Sequence, residues 1–204
     1  MTRAPLSDST EPALVIVPGL DDRSSNHWLN TLAAARPHAR TVPRPPVGAH
    51  LDRKAWVANL SDVVSTLSGE IVLTAHGAGV LTVAHWAQRS NRPIRAALLV
   101  TPPDFEHPPG DDSRLRRLGC THGWSPVPRS TLPFPTILAS SANDPYASHR
   151  RVTGLAESWG SRPVELGPVG HLDPTAGYGP WPRAAQLLNE LISPTRHSAV
   201  MHHR

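Results

Sequence analysis

The sequence predicts an α/β protein with a mostly parallel central sheet and helices on both of its faces. Short apolar runs rich in β-branched residues alternate along the chain with longer segments of helical periodicity. The apolar runs lack the polar alternation of a sheet that is solvated on one face, so both faces should be buried. A length of 204 residues suits one such domain. We expect this domain at 13–192, between flexible segments at 1–12 and 193–204.

The predicted elements follow one another in the order that parallel strands require. Residues 13–17 (ALVIV) form a continuous apolar strand. A helix over 28–35 and a short strand over 40–43 follow, and then a helix over 56–67, where apolar residues recur at helical spacing. The remaining elements are predicted as strand 70–75, helix 78–88, strand 94–101, strand 136–140, helix 147–159, strand 163–166 and helix 181–192.

Residues 102–135 interrupt this alternation. The segment is rich in Pro, Gly, Asp and Arg and shows little periodicity. A connection of this length within a compact domain is more often functional than not. We therefore predict an irregular, minimal cap over a site, and the alternative is a surface excursion without function. No internal repeat is present.

Composition and charge exclude several classes of partner and cofactor. The net charge is only +4 and the arginines are scattered, not gathered into a stripe with aromatic residues, so no nucleic-acid partner is predicted. No stretch approaches the roughly 20 apolar residues that span a bilayer, so no membrane partner is predicted. Cys120 is the single cysteine and residues 1–11 lack a signal-like apolar run, which predicts a cytoplasmic protein. No metal-ligand spacing, phosphate loop or nicotinamide signature is visible, so we predict no cofactor and no metal.

Residues 71–80 (IVLTAHGAGV) carry the most informative pattern in the sequence. An apolar strand passes through a tight turn into an amphipathic helix, which is typical of a nucleophile elbow. The elbow needs small residues two positions before and after its centre, and Ala75 and Gly79 meet this requirement. Gly77 occupies the centre. Glycine relieves the strain of the positive-φ turn but has no atom that could attack a carbonyl.

A dinucleotide-binding fingerprint is the competing interpretation of this segment, with Gly77 and Gly79 as its first two glycines. Its third glycine would fall at Thr82. The strand is not the first of the sheet, and no acidic residue about 20 positions later closes a second strand. The elbow is therefore the better interpretation.

Asp144 and His171 complete the pattern of a hydrolase triad. Asp144 follows a predicted buried strand, and His171 ends a Gly-rich loop after the next predicted strand. Open α/β sheets bind their ligands beyond the carboxyl ends of parallel strands. The chain order, elbow then Asp then His, is that of α/β-hydrolases. Alone, Asp144 could initiate a helix and His171 could be an ordinary loop histidine. Together they favour a dyad in which Asp144 fixes the imidazole tautomer and His171 acts as a general base or acid.

Several short segments across the chain belong to one recurring set. They are 17–19 (VPG), 26–28 (NHW), 75–79 (AHGAG), 84–86 (AHW), 98–104 (LLVTPPD), 143–146 (NDPY), 170–171 (GH) and 179–182 (GPWP). Together they resemble one family, the small serine hydrolases of the retinoblastoma-binding protein 9 and YdeN type. The resemblance implies an α/β-hydrolase fold with at most a light cap, triad positions at 77, 144 and 171, and an oxyanion hole formed by the backbone N–H groups of Leu20 and Ala78. Position 77 departs from the family.

Other polar residues near the predicted strand ends could contact a substrate. We predict this role for Asp21, His27, His76, Asp104 and Tyr146. The alternative for Asp21, the neighbouring Asp22 and His27 is that they form a turn and start a helix, and Asp104 has the same alternative. The alternative for His76 is a satisfied core histidine. Cys120, close to His122, is the only thiol that could replace the nucleophile, and nothing in the sequence lowers its pKa or sets it at a helix N-terminus.

Three functions fit these residues. In the first, His171 and Asp144 perform acid–base chemistry on a small molecule held over Gly77: cyclisation, elimination, isomerisation or hydrolysis without a covalent intermediate. In the second, an esterase-type serine hydrolase has been inactivated by a change from serine to glycine at position 77. In the third, a pseudohydrolase binds a ligand or protein through the old cleft. The first is preferred because the rest of the apparatus is present in the correct order. The substrate and the oligomeric state cannot be read from the sequence.

Overall fold

A computed structural model describes residues 11–193, so the flexible ends predicted at 1–12 and 193–204 lie almost entirely outside the described residues. No helix in the described part of the chain is long and apolar enough to cross a membrane. The strands are β1 (Ala13–Val17), β2 (Arg40–Thr41), β3 (Ile71–His76), β4 (Ala96–Val100), β5 (Thr136–Ser140) and β6 (Arg162–Glu165). The helices are α1 (Trp28–Ala34), α2 (Arg53–Ser65), α3 (Ala78–Ala87), α4 (Ser113–Thr121), α5 (His149–Trp159) and α6 (Arg183–Ile192).

The six strands form one sheet in the order β2-β1-β3-β4-β5-β6, and every pairing is parallel. β1 and β3 pair in register up to Val17 opposite Ala75, and β3 and β4 pair up to His76 opposite Val100. The strands therefore end nearly level, and the loops that follow them meet at one edge. This confirms the predicted α/β-hydrolase fold, and it brings distant parts of the sequence together at that edge.

The core has two parts, one on each face of the sheet. Alternate residues of β1 supply both: Val15 and Val17 pack on one face, and Leu14 and Ile16 on the other. The first face is covered by α2, α3 and α5, and the second by α1 and α6. Burial on both faces is the reason why the inner strands β1, β3, β4 and β5 are continuous apolar runs, whereas the edge strands β2 and β6 are mostly exposed.

The segment 102–135 is less irregular than its composition predicts. It contains α4, which begins after Asp112, whose side chain accepts a hydrogen bond from the Arg114 N–H at 2.8 Å. Leu115 and Leu118 lie on one face of this helix and pack against the first core. The prediction of little periodicity was wrong here because two leucines over nine mostly polar residues give too short an apolar stripe to recognise.

Candidate active site

A cavity of about 90 Å³ lies at the carboxyl edge of the sheet. Its lining comes from the loops that follow β1, β3, β4, β5 and β6 and from one face of α4. Ligands of parallel sheets bind at this edge because the loops after the strands converge there. The cavity is therefore the candidate active site, and both Gly77 and His171 line it.

The turn from β3 into α3 consists of Gly77 alone. Its backbone has φ 54° and ψ −130°, a region that costs a residue with a side chain about 1–3 kcal/mol. A Cβ atom added at Gly77 would lie 3.1 Å from Nε2 of His171, so this nitrogen faces the space above the turn. Gly79 is required for a different reason: a Cβ there would lie 2.2 Å from the backbone oxygen of Val17, where α3 meets β1.

His171 and Asp144 form a hydrogen-bonded pair at the cavity, here called the cavity pair. Nδ1 of His171 lies 3.0 Å and 3.1 Å from the two carboxylate oxygens of Asp144. Oδ1 of Asp144 also accepts a hydrogen bond from the Tyr146 N–H at 2.9 Å. Because Nδ1 must carry a proton to donate to the carboxylate, Nε2 of the neutral ring has a free lone pair. That lone pair is directed toward the space above Gly77.

The loops that carry the cavity pair are bonded to each other. Oδ1 of Asn143 accepts a hydrogen bond from the Gly170 N–H at 2.7 Å, and Oγ of Ser141 accepts one from the Val169 N–H at 3.2 Å. Beyond the histidine, Leu172 is completely buried in the second core. The loops after β5 and β6 are therefore fixed on both sides of the pair, which limits how far His171 can turn.

The predicted oxyanion hole consists of the backbone N–H groups of Leu20 and Ala78. Leu20 and Ala78 both line the cavity, and neither N–H donates a hydrogen bond to another group within residues 11–193. The Leu20 carbonyl accepts a hydrogen bond from the Arg44 guanidinium, which fixes the orientation of that residue. Ala78 is the first residue of α3, where the helix dipole favours negative charge. The oxyanion hole formed by these two N–H groups stays a prediction.

Tyr146 forms a wall beside His171. The two rings are nearly perpendicular, with their centroids 4.6 Å apart. Burial raises the pKa of Tyr146, and the carboxylates of Asp173 and Asp21 raise it further. The phenol therefore stays neutral, and it can act as a hydrogen-bonding surface at the mouth of the cavity.

A second histidine–aspartate pair, here called the buried pair, lies beneath the cavity. Nδ1 of His76 lies 2.9 Å and 3.0 Å from the two carboxylate oxygens of Asp22, and Nε2 lies 2.7 Å from the backbone oxygen of His171. Both partners can only accept hydrogen bonds, so both ring nitrogens must carry protons and His76 is an imidazolium. Burial acts to lower the pKa of His76, but the Asp22 carboxylate outweighs it, and the net shift is upward. Burial likewise opposes ionisation of Asp22, and nearby His76 nevertheless holds its pKa well below 3.8.

His27 joins the buried pair and gives the cluster the appearance of a metal site. Ligand atoms of Asp22, His27 and His76 lie within 4.8 Å of one another. However, Nδ1 of His27 accepts the hydrogen bond from the Leu29 N–H that caps α1, so Nε2 carries the proton of the neutral ring. That nitrogen lies 3.3 Å from Oδ1 of Asp22. A metal would have to displace protons from both histidines, so these contacts favour a hydrogen-bonded cluster. The absence of a metal stays a prediction.

Comparison with known protein families identifies the chain. A family model described as serine hydrolase matches residues 14–190. The chain belongs to the serine hydrolase family. No match is found among curated proteins.

Solved structures share the fold of this chain. A YdeN-like hydrolase from Pectobacterium atrosepticum is 26% identical, with a TM-score of 0.73 over 88% of this chain and 90% of that one. The ydeN gene product of B. subtilis is 18% identical, with a TM-score of 0.71 over 90% of this chain and 100% of that one. RedJ, solved with a polyethylene glycol molecule in its active site, is 20% identical, with a TM-score of 0.58 over 93% of this chain and 95% of that one. The predicted likeness to retinoblastoma-binding protein 9 stays a prediction.

The structure brings most of the predicted site residues of this serine hydrolase together. Asp144 does not line the cavity, but its carboxylate binds Nδ1 of His171. His27 and His76 are buried in the cluster around Asp22 and do not line the cavity. Cys120 is exposed on α4 and does not line it either. The predicted residues that do line it are Leu20, Asp21, Gly77, Ala78, Tyr146 and His171.

Asp104 lies apart from the cavity, and the structure gives its side chain a different set of contacts. Its Oδ2 lies 2.9 Å from Nε of Arg151, and its Oδ1 accepts hydrogen bonds from the N–H groups of Glu106 and His107. The carboxylate therefore holds the loop after β4 against α5. A substrate in the cavity would not contact it.

Sequence reasoning missed the apolar wall of the cavity. Phe105, Leu115 and Leu118 form this wall, and Asp173 also lines the cavity. The available signal was the spacing of the two leucines behind the Asp112 cap, which places them on one helical face. The wall shows that α4, part of the segment predicted as a cap, does border the site.

Proposed function

We propose that the protein is an α/β-hydrolase-fold enzyme in which His171 and Asp144 perform acid–base chemistry on a small molecule held over Gly77, without a covalent intermediate at that position. One observation carries the proposal. The free lone pair of His171 faces the space above Gly77, while Asp144 holds the other ring nitrogen at 3.0 Å. A histidine arranged in this way is a general base whose substrate site is the cavity itself.

The chemistry follows from the groups around that base. His171 takes a proton from a water or from the substrate, and Asp144 stabilises the imidazolium that results. Negative charge that develops on a carbonyl oxygen is received by the N–H groups of Leu20 and Ala78. Nε2 then donates the proton to the leaving group, or to the oxygen or carbon atom that forms a new O–H or C–H bond. Hydrolysis by water, cyclisation, elimination and isomerisation all use this pair of transfers.

The cavity limits the size of the reacting group. Its volume of about 90 Å³ is well below the roughly 300–1,000 Å³ of pockets that enclose drug-sized ligands. The wall of Phe105, Leu115 and Leu118 is apolar. These features support a substrate that inserts a short apolar end with one polar reacting atom, with the remainder of the molecule outside.

A second candidate is an esterase-type serine hydrolase inactivated at position 77. The family match favours it, because a serine at this turn would have both His171 and the N–H donors beside it. The crowding at the turn opposes it: a Cβ only 3.1 Å from Nε2 of His171 requires the ring to move by a few tenths of an ångström. The present position of the ring suits glycine better than serine.

One experiment separates these candidates. Hydrolysis of 4-nitrophenyl acetate and labelling by a fluorophosphonate probe are measured for the protein, His171→Ala, Gly77→Ser and the double variant Gly77→Ser with His171→Ala. We expect the protein to hydrolyse the ester without a burst and without labelling. We expect His171→Ala to lower kcat/KM about 100-fold or more, as loss of a general base does.

The other outcomes point elsewhere. Activity and labelling that occur only in Gly77→Ser, and only with His171 present, would identify an inactivated serine hydrolase. Absence of any His171-dependent reaction in both backgrounds would identify a cleft that binds without catalysis.

A further inference from the structure

We propose that His76, held as an imidazolium by Asp22, is a positioning residue that keeps the His171 loop and the turn at Leu20 fixed above Gly77. This inference rests on the proposed function, since it assigns a role within the same site. The His76 ring packs beside the His171 ring, with centroids 4.7 Å apart, and Asp22 lies at the edge of the cavity lining, but neither side chain forms a hydrogen bond with the side chains of the cavity pair. Their effect on the reaction would therefore be exerted through other residues.

The first step of the argument is the carbonyl group of His171. Two donors at the ends of neighbouring strands converge on its oxygen: Nε2 of His76 from β3 at 2.7 Å, and Oγ1 of Thr101, which follows β4, at 3.3 Å. Rotation of the His171 peptide would break both bonds. The direction of the imidazole that reaches the cavity is thus set from the backbone side as well as by Asp144.

The second step concerns the turn that carries the oxyanion donor. The Asp22 carboxylate accepts a hydrogen bond from the Gly19 N–H while it binds His76. A Cβ atom on Gly19 would lie 3.1 Å from Oδ2 of Asp22 and 3.2 Å from the backbone oxygen of His76. The turn from Gly19 to Leu20 is therefore packed directly on the buried pair. The buried pair therefore connects the loop after β1, the end of β3 and the loop after β6.

The third step is the protonation state on which both bonds depend. A neutral ring has one N–H, so it could bind the Asp22 carboxylate or the His171 carbonyl but not both. His76 is completely buried, so water cannot replace the lost donor. The ionisable groups that face it are Asp22 and His27 from the loop after β1, and His171 and Asp173 from the loop after β6.

Imidazole NMR tests the inference without requiring turnover. In ¹⁵N-labelled protein, we expect both ring nitrogens of His76 to carry protons at pH 7. We expect the proton shared by Nδ1 of His171 and Asp144 to give a sharp downfield signal. In His76→Leu that signal should broaden or disappear, while His76→Gln, which keeps an N–H donor, should partly restore it. The matched control is His85→Gln, since His85 lies on α3 and faces the Trp124 carbonyl, away from the cavity.

Kinetics on 4-nitrophenyl acetate provide the second measurement. A misplaced base lowers turnover more than substrate binding, so we expect His76→Leu to reduce kcat about 10-fold to 100-fold with little change in KM. His85→Gln should have the activity of the unmodified protein. Circular dichroism and thermal melting confirm that each variant is folded, and His76→Phe, which also lacks a side-chain N–H donor, replaces His76→Leu if the latter is not folded.

Two results would overturn the inference. The first is a neutral His76 ring at pH 7 in the unmodified protein. The second is an unchanged His171 signal in a folded variant whose residue 76 has no side-chain N–H donor. Loss of the proposed function alone would look different: no His171-dependent turnover would be found, while the NMR behaviour of both histidines would be as expected here.

Discussion

The cavity pair and the buried pair contain the same two residue types, and their histidine rings lie only 4.7 Å apart between centroids. In the cavity pair, Asp144 binds one nitrogen of His171 and the other nitrogen faces the cavity. In the buried pair, Asp22 binds one nitrogen of His76 and a backbone carbonyl binds the other. The two histidines therefore differ in the group that faces the second ring nitrogen. His171 can accept a proton there, whereas His76 already carries a proton on each ring nitrogen.

His85 shows that a carbonyl acceptor is not sufficient to make a cation. Its Nε2 lies 3.0 Å from the Trp124 carbonyl, which resembles the contact of His76 with the His171 carbonyl. No carboxylate pairs with His85 among the described residues, and burial lowers its pKa to about 4. His76 has the Asp22 carboxylate beside it, whereas the charged groups near His85 include the guanidinium groups of Arg53 and Arg89, which lower its pKa further.

The largest expected effect is on the cavity pair. Asp144→Asn keeps an oxygen that can accept from the Tyr146 N–H, but it no longer selects the tautomer with a free Nε2 lone pair. In triad hydrolases the equivalent change lowers kcat about 10⁴-fold. We expect a loss of this order in the His171-dependent hydrolysis of 4-nitrophenyl acetate, with little change in the urea midpoint of unfolding. A large loss of stability with retained turnover would contradict the proposed role.

Asp22→Asn should show the opposite balance between activity and stability. Removing one partner of a buried ion pair costs about 3–5 kcal/mol, and we expect the lower end because His76 can release its proton. Equilibrium unfolding in urea at pH 6, with Asp62→Asn on the exposed face of α2 as the control, measures the difference. An unchanged free energy of unfolding would show that the buried pair does not hold the fold together.

The loss of stability in Asp22→Asn should depend on pH. The raised pKa of His76 gives stability that is fully present below 6.5 and is lost as pH rises through the folded-state value. The lowered pKa of Asp22 gives stability that is present above 3.8 and is lost as pH falls through its folded-state value. The stability difference between the protein and Asp22→Asn should therefore be greatest between about pH 4 and 6.5 and smaller on both sides.

The smallest expected effect concerns His85. Between pH 6.5 and about 4, the unfolded chain binds a proton at His85 that the folded protein does not, so this residue makes stability fall as pH falls. His85→Gln keeps a donor for the Trp124 carbonyl and removes the titration. We expect a shallower acid-side decline in the free energy of unfolding, measured in urea at several pH values. A steeper decline would mean that His85 is charged when folded.

Much of the fold could be predicted because its signals are local. The apolar runs of β1, β3, β4 and β5 and the helical spacing in α2 follow directly from burial on both faces of the sheet. The helix predicted at 147–159 begins two residues later, because Ser148 caps it by accepting a hydrogen bond from the Arg151 N–H. α4 was missed because its apolar face has only two leucines, and this face becomes apparent only where it packs on the core.

Some features of the candidate site could also be predicted from local sequence, and others depend on tertiary contacts. The sequence gives the order of Gly77, Asp144 and His171 along the chain, each after a predicted strand, and parallel strands bring their carboxyl ends to one edge. The roles of His76 and Asp104 could not be predicted in this way, since each depends on partners from other elements. His76 meets Asp22 across 54 positions and the His171 carbonyl across 95. Folding brings these acceptors to one ring, and the local sequence around a histidine contains no information about how many acceptors it will meet.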